Sequence, residues 1–74
     1  MTIAERVAAL LGESLDPWSE TLCDGIEQMD EADALRFVPI GSFNEGTWAG
    51  VVGARLRVAD LNPERYGHLD PLVP

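Results

Sequence analysis

The sequence predicts an α+β fold, in which two N-terminal helices pack on a small antiparallel sheet of two or three strands and a short helical turn lies near the C-terminus. Three observations carry that expectation. Residues 3–11 and 17–32 repeat apolar side chains at helical spacing. Residues 47–58 alternate apolar and polar side chains, as a half-buried strand does. Residues 35–43 are rich in branched and aromatic side chains around Pro39, which suits an edge strand. With 74 residues, the chain reads as a single domain over 1–74. A domain of this size buries only about 60% of its unfolded surface, so dimerisation or a partner protein would add useful burial.

The first helix is marked at both ends. Thr2 and Glu5 have the spacing of a capping box, in which each side chain satisfies a backbone N–H of the first turn. Ile3, Val7, Leu10 and Leu11 follow on one face, and Gly12 suits the left-handed position after the last turn. The second helix starts at "LDPWSE", with Asp16 as N-cap and Pro17 as first helical residue. Trp18, Leu22, Ile26 and Met29 form its apolar stripe, which places Trp18 and Met29 in the core. Asp33 would break that pattern, so the helix is expected to end near Ala32.

The chain then changes character. "LRFVPIGSF" reads as extended, and "NEG" at 44–46 reads as a turn. Trp48, Gly50, Val52, Ala54, Leu56 and Val58 occupy the even positions of the next strand, with Gly50 or Gly53 marking a bulge or a join. A helix across 49–60 is the competing reading. The two glycines and the Val51-Val52 pair count against it. "LNPERYG" is one helical turn capped by Asn62, and residues 67–74 form a tail.

Charge narrows the function. Thirteen acids face five basic residues, all arginine, for a net charge of −8. Phosphates would be repelled, so direct binding of nucleic acid or of an anionic membrane is not expected. No apolar run approaches the ~20 residues of a membrane span. "MTIAERVAALLG" lacks a signal-type pattern, and the single Cys23 suits a reducing compartment, so a cytoplasmic protein is expected.

Catalytic chemistry finds little support, and no enzyme, metal or cofactor is expected. Cys23 and His68 are each the only residue of their type. Cys23 lies beside an apolar stripe among carboxylates that would raise its pKa. No run matches a metal-ligand spacing, and Asp30, Glu31 and Asp33 read as a solvated helix end. Carboxylates that face water together are not split into acid and base. "GESLD" at 12–16 resembles the attachment site of acyl carrier proteins, which would make Ser14 the phosphopantetheine acceptor. The likeness covers about five residues. Thirteen residues before Ser14 are too few for that family's first helix and loop, and Pro17 interrupts the helix that should follow.

The remaining feature is the acid density of "SETLCDGIEQMDEAD", which holds Glu20, Asp24, Glu27, Asp30, Glu31 and Asp33 and no basic residue. Glu13, Asp16, Glu20, Asp24, Glu27 and Glu31 recur every three or four residues, a ladder on one helix face, with Asp30 beside it. Like charges at i,i+4 cost about 0.2–0.5 kcal/mol a pair, so stability does not favour such a ladder. Its spacing of about 5–6 Å is a sparse counterpart of the DNA phosphate line. These seven acids are the expected partner-binding residues.

A small, lysine-free, acidic α+β chain without an active site resembles the anti-CRISPR proteins of phages and mobile elements, particularly the DNA-mimic type. The resemblance lies in size, charge and architecture and rests on no shared motif. It implies a non-enzymatic inhibitor that occupies the basic nucleic-acid-binding surface of a CRISPR surveillance complex or another DNA-binding defence protein; the chain itself is expected to be a monomer or weak homodimer. An acidic assembly module, such as an antitoxin-like or regulatory subunit, is the alternative, followed by a carrier protein modified at Ser14.

Overall fold

A computed structural model of the chain describes residues 1–37 and 45–72, with the side chains of residues 45 and 46 outside the described set. The order is α1 (Ile3–Leu11), α2 (Pro17–Ile26), α3 (Glu31–Leu35), α4 (Glu45–Leu61) and α5 (Pro63–Tyr66). No strand forms among the described residues, so the α+β expectation is wrong and the fold is helical. Most of the strand expected at 35–43, and part of the turn at 44–46, lie outside the described residues. Leu35 closes α3, while Glu45 and Gly46 open α4.

The strand expected at 47–58 is the middle of α4, and the reason is burial. This helix packs against α1, α2, α3 and α5 at once. Ala49, Val51, Val52, Ala54, Leu56 and Val58 are all buried along it. A helix with buried apolar residues on nearly every side has no broad polar face to give a helical period. What remained was an accidental alternation, which buried Val51 already breaks.

The two glycines that argued against a helix allow this one to be central. A Cβ on Gly50 would stand 2.5 Å from Leu22 Cδ2 of α2. One on Gly53 would stand 3.1 Å from Ile3 Cγ2 of α1 and 3.4 Å from Cys23 Sγ of α2. Each glycine costs a helix about 1 kcal/mol against alanine. Close approach of two neighbouring helices offsets that cost. The resulting core joins Ile3, Ala4, Val7, Cys23, Ala49, Val52 and Leu56, with Leu11, Leu15 and Trp48 packed around it.

The second helix is shorter than expected. The span 17–32 divides because Asp30 acts as a new N-cap, accepting a hydrogen bond from Asp33 N at 2.8 Å. An aspartate offered both roles favours the cap over a helix interior. Arg57 of α4 fixes the junction by donating from Nε to Met29 O at 2.9 Å. Met29 is only half-buried. Trp18, expected in the core, is 58% exposed. The inward face of α2 is instead built from Ser19, Cys23 and Ile26.

The end signals read from sequence hold. Thr2 and Glu5 form the full capping box, Gly12 takes φ 73°, and Asp16 accepts from Ser19 N. Asn62 caps α5. Beyond α5, Arg55 donates to Pro71 O at 3.0 Å and holds the tail near α4.

Candidate partner-binding face

The seven candidate acids fall into two sets. Four have structural work. Asp16 Oδ1 accepts from Ser19 N at 2.7 Å and starts α2. Asp30 starts α3. Half-buried Glu27 reaches across to α1, where its Oε1 accepts from Ile3 N at 3.2 Å. A carboxylate there satisfies an orphan N–H and faces the positive end of the helix dipole. Half-buried Glu31 accepts from Asn62 Nδ2 at 3.4 Å and joins α3 to the residue that caps α5.

Glu13, Glu20 and Asp24 form the second set. All three are exposed. None of their carboxylates has a hydrogen bond or ion pair among the described residues. Glu13 lies in the loop after α1, while Glu20 and Asp24 stand one turn apart on α2. The expected ladder is therefore not one line. It ends at Asp24, because Glu27 turns inward and Glu31 belongs to another helix.

The structure adds a carboxylate that the stripe did not contain. Glu5, Glu20 and Asp24 line a cleft of about 430 Å³ between α1 and α2, with Thr2, Ala4, Ala8, Ser14 and Leu15. Small side chains at Ala4 and Ala8 leave that space. The capping box had placed Glu5 at the start of α1, but nothing in the spacing showed that α2 would lie beside it. The hydrogen bond from Thr2 N, and a second one with the Thr2 side chain, hold the Glu5 carboxyl below its ordinary range. A lowered carboxylate stabilises the fold above its unfolded pKa, and that contribution fades as pH falls through the folded value. Thr2→Ala is expected to lower the thermal midpoint and to weaken its decline between pH 5 and pH 3. Parallel melts of the two chains check this.

Charge is segregated along the chain. Residues 1–35 hold nine acids and one arginine, whereas residues 36–74 hold four of each, so the whole net charge of −8 lies in the first set. The single arginine of the first set, Arg6, forms an ion pair with Asp60 at 2.6 Å. Arg55 and Arg65 stack on Trp48 and Tyr66 at 5.4 and 5.6 Å from the ring centroids. Among the described residues, no arginine forms an ion pair with Glu13, Glu20 or Asp24.

Cys23 is fully buried and donates to Ala49 O at 3.7 Å. Burial, and secondly the Asp24 charge, push its thiol up to about 11. It is a core residue and no nucleophile at neutral pH. Iodoacetamide at pH 8 is expected to leave folded Cys23 unmodified and to alkylate it fully in urea, read by intact mass. Because the folded thiol titrates above its ordinary value of 9.0, stability is complete below that pH and is lost towards 11. Rapid alkylation of the folded chain would contradict the burial.

His68 is exposed in the tail, on the rim of a second cleft of about 730 Å³ that includes Arg6, Tyr66 and Leu69. Among the described residues, no group of three or more His, Cys, Asp or Glu residues is arranged to hold a metal ion. No helix among them is long and apolar enough to cross a membrane. No family model, curated protein or solved structure matches the chain.

Proposed function

We propose that this chain is a non-enzymatic binding protein that docks the acidic surface of α1 and α2 on a basic, nucleic-acid-binding surface of a partner protein. The observation that carries the reading is the set of exposed carboxylates without partners among the described residues: Glu13, Glu20 and Asp24, with Glu5 across the cleft. Four of the five arginines, Arg6, Arg55, Arg57 and Arg65, are engaged with other groups. An uncompensated charge of one sign steers a basic partner from a distance and weakens with salt. Occupation of the partner's basic groove would exclude nucleic acid from it. A CRISPR surveillance complex, or another DNA-binding defence protein in the cytoplasm, is the partner that best suits this chemistry. Direct titration of the chain into such a purified complex is expected to show binding whose affinity falls steeply between 50 and 300 mM salt. Absence of binding at the lower salt would count against that partner.

A second reading has one observation in its favour. Ser14 is exposed in the loop ahead of α2, on the wall of the acidic cleft, in a chain whose described residues form helices and no strand. Carrier-type modification there requires that a phosphopantetheinyl transferase load Ser14. Intact mass after incubation with the transferase and coenzyme A decides it, and Ser14→Ala is the control.

A further inference from the structure

The solvent side of α2 carries an unusual glycine. Gly12 is needed for its positive φ, and a Cβ on Gly50, Gly53 or Gly67 would crowd a neighbour. Gly25 has neither reason. Its φ is not positive, it is exposed, and a Cβ built on it meets nothing within 4 Å. Glycine weakens a helix, so the fold alone gives this position no advantage over alanine.

The surroundings of Gly25 point outward too. Trp18, Thr21 and Gly25 follow at i, i+3 and i+7 and form one row along the helix. All three are exposed, and Trp18 is 58% exposed in a chain that can hardly spare an indole from its core. Glu20 and Asp24 form the parallel row on the side of α1. The face thus has an aromatic residue at one edge, small residues in the middle and, at the other edge, two carboxylates without partners among the described residues.

We propose that this face of α2 is the close-contact strip of the docking surface, and that its occupant is an arginine-bearing segment of the partner protein. This rests on the docking reading above and goes further by naming the strip and the side chain it takes. Missing side chain at Gly25 lets the partner's backbone approach the helix. Guanidinium groups stack on the Trp18 ring and pair with Glu20 and Asp24. Arginine suits both tasks better than lysine, because its planar fork stacks on indole and pairs bidentately with carboxylates. An exposed tryptophan at such an edge is the usual kind of interface anchor.

The test uses the full chain and labelled nona-arginine and nona-lysine peptides, followed by fluorescence anisotropy at low salt, with a thermal melt of every variant. Nona-arginine is expected to bind about tenfold tighter than nona-lysine. Trp18→Ala should reduce that preference by roughly fivefold. Gly25→Gln should weaken nona-arginine binding about tenfold, while its melting temperature stays at or above that of the unaltered chain. A stabilised chain that binds less well cannot be explained by an internal structural role. If Gly25→Gln and Trp18→Ala bind as the unaltered chain does, while Glu20→Lys with Asp24→Lys abolishes binding, the strip is overturned and acidic docking stands. If neither peptide binds the unaltered chain, both fall. A sharp drop in the melting temperature of Gly25→Gln would also overturn the strip.

Discussion

Gly53→Val is expected to unfold the chain or to lower its stability by about 3 kcal/mol or more. A single methyl already fills the site, since a Cβ would stand a tight 3.1 Å from Ile3 Cγ2 and in contact with Cys23 Sγ at 3.4 Å and Val7 Cγ2 at 3.6 Å, which leaves no space for two further carbons. Ile3 and Val7 are β-branched, buried and stiff at χ1, so they cannot swing aside. Overpacking a tight core costs about 1–3 kcal/mol for modest insertions, and here three carbons enter. At roughly 0.05–0.15 kcal/mol per residue, a small domain has little stability in reserve. Gly50→Ala should cost less, because its nearest neighbour is the movable end of Leu22. Gly25→Ala should be neutral or stabilising. Thermal melts of the three variants check this order. The sign at residue 53 also separates the two folds. In a strand, valine is favoured over glycine, so the same substitution would raise stability.

Reversal of Glu20 and Asp24 to lysine is expected to abolish partner binding with almost no change in the melting temperature. Both side chains are exposed and have no internal partner among the described residues. Their reversal only exchanges small terms: Glu20 loses a favourable place in the first turn, while Asp24 gains one near the last. Reversal of Glu27 and Glu31 should do the opposite. Those carboxylates accept from Ile3 N and Asn62 Nδ2, so each loss costs about 0.5–1.5 kcal/mol of stability, more where a buried donor is stranded. Paired measurement of binding and melting on the two double variants distinguishes a docking face from a solvated one. Equal binding by the Glu20/Asp24 double variant would remove the electrostatic reading.

The sequence was legible where structure is written locally. Thr2 with Glu5, Gly12, Asp16 with Pro17, and Asn62 with Pro63 each mark a helix end through contacts within a few residues, and each is found. It was not legible where packing decides. Helix α4 is enclosed by four others, so its apolar residues show no amphipathic period and its glycines looked like breaks. The same is true of the site. The spacing of the acids was plain, but two of them, Glu27 and Glu31, are bound to groups 24 and 31 residues away in sequence. Nothing local shows that. Trp18 failed for a related reason. Helical spacing placed it with Leu22 and Ile26, yet the buried face of α2 is turned towards Ser19 and Cys23, and this leaves the indole at the edge.

The most direct measurement is competition for the partner's nucleic-acid site. A fluorescent DNA duplex is bound to a purified CRISPR surveillance complex, and the unaltered chain is titrated in beside the Glu20→Lys/Asp24→Lys variant. The unaltered chain is predicted to release the duplex, with a midpoint that rises with salt, while the reversed variant leaves it bound. Release by both chains alike, or retention of the duplex at every concentration of the unaltered chain, would contradict docking through the acidic face.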